Sequence, residues 1–229
     1  INSYVREVNT FNDDITFEIA LLSAIKKKGK EVTSLDIGYE WVSLIPSAWT
    51  AEEFALRNLK IGIKPPLSGK LYNPYREWIG AQMRGAMPGM ICPGDPYKAA
   101  KLAFTDGEVS HYNTGILGEV FNSIMVSLAY VKDDVRDIID EAISYIPKDS
   151  LYYSVIKKTY EECKKGNSWE EVWGLCEKEY SIYNWIHALP NASAEVIALY
   201  FGNNDFNKTA HIVAMEGYDV DCNAAQILT

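Results

Sequence analysis

The sequence predicts an all-α fold, a compact bundle of about ten helices in one domain over 1–229. Three observations predict it. Apolar residues recur at helical spacing along most of the chain. Capping residues stand at the starts of these runs, and glycine or proline follows several of their ends. No stretch shows the period-two alternation of a strand, and no internal repeat is visible.

Composition narrows the function classes. A chain of 229 residues with 48% apolar and 23% charged residues is ordinary for a globular protein with a sizeable core. Its net charge of −9 argues against nucleic acid as a partner, because a phosphate-binding surface needs a basic stripe. No apolar run is long enough to span a bilayer, and no secretory leader is visible at Ile1. Cys92, Cys163, Cys176 and Cys222 are widely spaced and form no Cys-x-x-Cys. They read as reduced thiols, so a cytoplasmic protein is expected.

The first helix should begin at Asn12, with Asp13 and Asp14 in its first turn and Ile15, Ile19 and Leu22 at helical spacing. Lys26, Lys27 and Lys28 suit its last turn, and Gly29 stops it. A second helix should run from Ser34 to Leu44 and end before Pro46. A third follows Thr50, which with Glu53 has the pattern of a capping box. Residues 62–73 read as a loop, given Pro65, Pro66 and Gly69.

Residues 73–94, NPYREWIGAQMRGAMPGMICPG, hold glycines at 80, 85, 89 and 94, which permit close approach of a ligand or another backbone. Arg84 in that setting suits a phosphate or, equally, a carboxylate within the fold. Asp95 and Pro96 are an N-cap and first helical residue, opening a helix that ends near Gly107. The polar turn Ser110-His111-Tyr112-Asn113 offers His111 either as a substrate ligand or base, or as a structural hydrogen-bonding group. Residues 115–131 form a helix too continuously apolar for a surface position, and Glu119 inside it must find a partner or a metal.

Three amphipathic helices follow at 133–145, 150–165 and 168–180, the last with Ser168 and Glu171 as a capping box. Apolar helices at 191–201 and 205–215 lead to Gly217, and a final helix begins at Asp219-Val220-Asp221.

Asp13-Asp14 and Asp219/Asp221 thus open the first and last helices. An acidic first turn alone is ordinary helix chemistry. If the two helices packed side by side, however, four carboxylates would converge. Such a cluster calls for cations, and a pair of Mg²⁺ or Mn²⁺ ions is a common hydrolytic solution.

The blocks FNDDITFEIALL, NPYREWIGAQMRGAMPG, PGDPYKAAKLAFTDGEVSHYNTGILGEVF and HIVAMEGYDVDCNAA, in this order, resemble the ADP-ribosylglycohydrolases. The resemblance implies an all-α fold with two Mg²⁺ ions between the first and last helices. It also implies hydrolysis of the glycosidic bond joining ADP-ribose to a side chain or small molecule. By position, Asn12, Asp13, Asp14, Asp219, Asp221 and Cys222 match the metal-binding residues, with Asp14 and Asp221 closest to catalysis. Cys222 stands where many relatives have a threonine, and a thiol is a poor Mg²⁺ ligand, which puts the second ion in question. Gly80, Gln82, Met83, Arg84 and Gly85, with Ser110, His111 and Asn113, match the substrate-binding cleft. Relatives extend beyond both Ile1 and Thr229, so this chain is expected to be part of a longer protein. The rival expectations are a non-catalytic ADP-ribose-binding or structural member of the fold, and a hydrolase of nucleosides or other glycosides.

Overall fold

Capping chemistry sets most helix starts in the computed structural model, which describes residues 12–166 and 168–229. Phe11, which opens the first of the four blocks, lies outside them. The helices are α1 (Asp13–Lys28), α2 (Ser34–Leu44), α3 (Thr50–Lys60), α4 (Leu67–Lys70), α5 (Ala86–Ile91), α6 (Pro96–Gly107) and α7 (Thr114–Ala129). They continue with α8 (Val135–Tyr145), α9 (Leu151–Lys165), α10 (Trp169–Tyr180), α11 (Ala188–Gly202), α12 (Phe206–Glu216) and α13 (Val220–Ile227). The side chains of Asn12, Asp95, Asp134, Ser150, Ser168 and Asp205 each accept a backbone N–H of the first turn they precede. Among the described residues there is no strand; Trp78 and His187 form one isolated antiparallel bridge.

Several expectations need correction. Among the described residues the helices number thirteen rather than about ten, partly because residues 62–73 and 73–94 contain the short α4 and α5. Thr50 and Glu53 form no capping box. Trp49 occupies the N-cap position, Thr50 sits at φ 47°, and its hydroxyl faces Glu52 Oε2 at 3.4 Å. Glu53 pairs instead with Arg57 one turn on. A reciprocal box does exist at Thr33 and Asp36, where Asp plays the part usually taken by Glu or Gln.

Apolar burial divides into two large clusters. One gathers Phe17, Leu21, Ile37, Trp41, Leu56, Ile79 and Met83 between α1, α2, α3 and the segment before α5. The other surrounds α7 and α11 with α8, α9 and α10. All but three of the sixteen residues of α7 are buried, including Glu119, Asn122 and Ser123. Glycines let helices close on it: a Cβ at Gly89 would meet Ser123 O at 2.6 Å, and one at Gly85 would meet Glu119 O at 2.9 Å.

Candidate metal centre

Two helix starts meet at one turn. α1 and α13 both pack on the 3₁₀ turn Gln82–Arg84, rather than lying side by side along their lengths as expected. Gly217 at φ 77° and Tyr218 at φ 56° reverse the chain between α12 and α13, and Tyr218 lays its ring edge-on to Trp173 at 5.0 Å. Asn191 of α11 fixes the start of α13. Its Oδ1 accepts the backbone N–H of Asp219 at 3.2 Å and the Asn223 amide at 2.8 Å. Its own amide donates to the carbonyls of Trp185 and His187, so its orientation is determined.

The acidic ends therefore converge, but unevenly. One donor atom each of Asp219, Asp221 and Cys222 lies within 4.8 Å of the others, and the Cys222 thiol donates to Asp14 Oδ1 at 3.8 Å. Asp219 is half-buried and Asp221 exposed. Burial, the Asp221 carboxyl and the charge of Asp14 push the Asp219 carboxyl up to about 7, with its bond from Cys222 acting in opposition. The charge of Asp13 also acts on Glu52 of α3, helping to raise that carboxyl after burial. Asn12 Oδ1 accepts the N–H of Ile15 at 3.2 Å, serving α1 as its cap.

The sequence reading missed Glu18, Glu52 and Asn191. Glu18 stands four residues after Asp14, hence on the same face of α1, and that spacing was its signal. Burial, then Asp14 and Asp106, raise its carboxyl to about 7 against the pull of Arg84. Glu52 and Asn191 are joined to the centre only by the tertiary fold, though a lone amide in the apolar run of α11 was a hint.

The cleft residues expected from the resemblance mostly lie beneath the centre. Gly80, Gln82, Met83, Arg84, Gly85, Ser110 and His111 are all buried. Arg84 is 1% exposed, so it presents no guanidinium to a phosphate from solvent. Its Nε binds Asp106 Oδ2 at 2.6 Å, while Nη1 and Nη2 face Glu52 and Glu119 at 3.5 and 3.7 Å. Nη1 also donates to Gly80 O and Nη2 to Ser110 Oγ, and the guanidinium lies over Phe17 and Trp41. Burial opposes its charge, but the acidic groups of Asp106, Glu119 and Glu52, Asp106 first, prevail and hold it cationic. This is the carboxylate alternative for Arg84, and it also supplies the partner that Glu119 requires.

Three carboxyl groups share that one cation. Burial leaves Glu119 well above the usual carboxylate range and Glu52 at about 7. His111 meets Ser110 Oγ through Nδ1 at 2.7 Å, and burial with Arg84 nearby keeps it neutral. Asn113 is the exposed member of the set. It sits at φ 51° and donates to Glu77 Oε1 at 3.1 Å.

The family model for ADP-ribosylglycohydrolase matches residues 3–227. The chain belongs to that family. No curated protein matches it. The ADP-ribosylglycohydrolases are glycosidases acting on ADP-ribosylated substrates, and they are typically metal-dependent. The donor set of this member fits a divalent cation: carboxylate oxygens of Asp219 and Asp221 lie close to the Cys222 thiol, which reaches Asp14 on its other side, and a cation would offset the burial and neighbouring acids that raise Asp219. A hard oxygen is absent at position 222, where the thiol does not suit Mg²⁺. Among the described residues, no helix is long and apolar enough to cross a membrane.

Proposed function

We propose that this ADP-ribosylglycohydrolase hydrolyses the glycosidic bond between ADP-ribose and a protein side chain or small molecule, with divalent cations at the junction of α1 and α13. The carrying observation is the approach of Asp14, from one end of the chain, to Cys222 in the Asp219–Asp221 cluster at the other. Asp14, Asp219 and Asp221 are the proposed ligands, with Asp13 alongside and Asn12 holding the first turn in place. The bound ion would orient the ribose hydroxyls and activate a water near the anomeric carbon.

The protein's own contribution is electrostatic and acid–base. Glycoside cleavage passes through an oxocarbenium-like state, and carboxylates facing it lower its energy. Glu18, titrating near neutrality beside Asp14, is placed to accept or return a proton. The segment Gly80–Gly85, with Ser110 and His111, holds the floor of the centre, and Asn113, exposed and bonded to Glu77, is the member of that set open to a ligand.

Calorimetric titration of ADP-ribose, with divalent cation and then with EDTA, tests the reading. Binding should require the cation and be lost in Asp221→Asn. Full hydrolysis of ADP-ribosylated substrates by Asp221→Asn would sink the metal assignment. Cleavage confined to nucleosides lacking the diphosphate would move the substrate class.

A further inference from the structure

Cys222 gives the acidic centre a sulfur face. Its Sγ lies 3.8 Å from Asp14 Oδ1 and 3.7 Å from the thioether sulfur of Met83. It also lies within 4.8 Å of a carboxylate oxygen from each of Asp219 and Asp221, close enough for one ion to touch all three groups. At 8% exposure the thiol is held inside the centre, enclosed by protein on its Met83 side. Cys92, Cys163 and Cys176 belong to other parts of the fold: Cys92 ends α5, and the other two lie in the cluster around α11.

Ligand softness decides which ion such a set prefers. Mg²⁺ demands hard oxygen donors in near-octahedral order, and a sulfur at 222 offers it nothing. A thiolate favours borderline transition ions, for which mixed sulfur and carboxylate coordination is ordinary. Resting on the reading of this junction as a metal centre, we infer that its Cys222 end holds a borderline divalent transition ion of the Zn²⁺ class, coordinated by the Cys222 thiolate with Asp219 and Asp221. On binding, the S–H bond of Cys222 breaks, a sulfur–metal bond forms and the proton leaves to solvent; no electron is transferred. The Asp14 oxygen that accepts the thiol proton in the ion-free arrangement is then released to face the ion. Met83 remains a soft neighbour that limits water access to the sulfur.

Co²⁺ serves as the optical probe. The protein, stripped with chelator and kept reduced, is titrated with Co²⁺ while absorption is read. A thiolate-to-Co²⁺ charge-transfer band in the near ultraviolet is expected beside the weaker visible bands. In Cys222→Ser that band should vanish, and Co²⁺ and Zn²⁺ should bind about 10–100-fold more weakly or worse, since loss of even an outer-shell partner costs that much. Mg²⁺ affinity should rise in both Cys222→Ser and Cys222→Thr, since each puts a hydroxyl oxygen where the sulfur stood. Co²⁺ binding to the wild-type protein without the band, or a band that persists in Cys222→Ser, overturns the inference. Asp221→Asn separates the two levels of the argument: if it binds Co²⁺ and Mg²⁺ as the wild type does, the metal centre itself is misplaced, whatever its ion. Circular dichroism checks each variant's fold, and should one fail to fold, the wild-type spectrum still decides.

Discussion

The guanidinium of Arg84 has Asp106, Glu52 and Glu119 around its edge and Phe17 and Trp41 beneath its face. Removing a single member of a buried ionic group is costly because the partners are left uncompensated. Arg84→Met should therefore destabilise the protein by about 3–5 kcal/mol in urea denaturation. If its role is structural, the folded molecules should not also suffer the roughly 1.5–3 kcal/mol loss in ADP-ribose binding that follows removal of a charged donor to phosphate. A variant of normal stability with that binding loss would return Arg84 to the cleft wall. Sequence alone could not choose between these roles. An arginine among glycines looks the same whether the glycines admit a phosphate or, as Gly80 does here, the carboxylate of Glu52.

Elements with strong local signals were legible in the sequence. The ends of α1 (Asp13–Lys28) fall between Asn12 and Gly29 as read, because cap, lysine-rich last turn and glycine stop all agree, but its buried face is Phe17, Ala20, Leu21 and Ala24, and Ile15, Ile19 and Leu22 are exposed. Residues 73–94 were not, because their conformation depends on what packs against them rather than on local pattern. Gly89 shows this. It lies in α5 against α7, and an added Cβ would meet Ser123 O at 2.6 Å and Val126 Cβ at 2.7 Å. Gly89→Ala should cost about 1–3 kcal/mol through overpacking. Gly174, inside α10, has nothing within 4 Å of an added Cβ. Gly174→Ala should gain about 0.4–1 kcal/mol by reducing the freedom of the unfolded chain. Denaturation midpoints with unchanged slopes would measure both; equal effects of the same sign would mean that α5 is not seated on α7 as described. The candidate metal centre divides in the same way. Its aspartates were visible as pairs in sequence, whereas Asn191, Glu18 and Glu52 become part of it only when α11, α1 and α3 are folded together.

At the scale of the whole molecule, buried carboxyl groups make stability depend on pH. Burial raises Glu52 to about 7 and Glu195 to about 8, and lifts Glu119 and Glu216 well above the usual range. Each keeps its proton in the folded protein at a pH where the unfolded chain has lost it. The folded state then binds more protons, so stability falls as pH rises. Each group contributes a slope of about 1.4 kcal/mol per pH unit between the unfolded carboxyl value near 4.3 and its folded value. For Glu195, fully buried and bonded by the Asn122 amide at 3.2 Å, that window runs from about pH 4.3 to about 8. Glu195→Gln keeps an oxygen for Asn122 and abolishes the titration. Measured with EDTA present, so that cation binding does not impose its own pH dependence, the wild type should lose stability steadily from pH 5 to pH 8. The variant should lose it less steeply, by up to the slope of one group. An identical slope in the two proteins would mean that Glu195 is ionised in the folded state, and that α7 and α11 enclose a charge rather than a neutral acid.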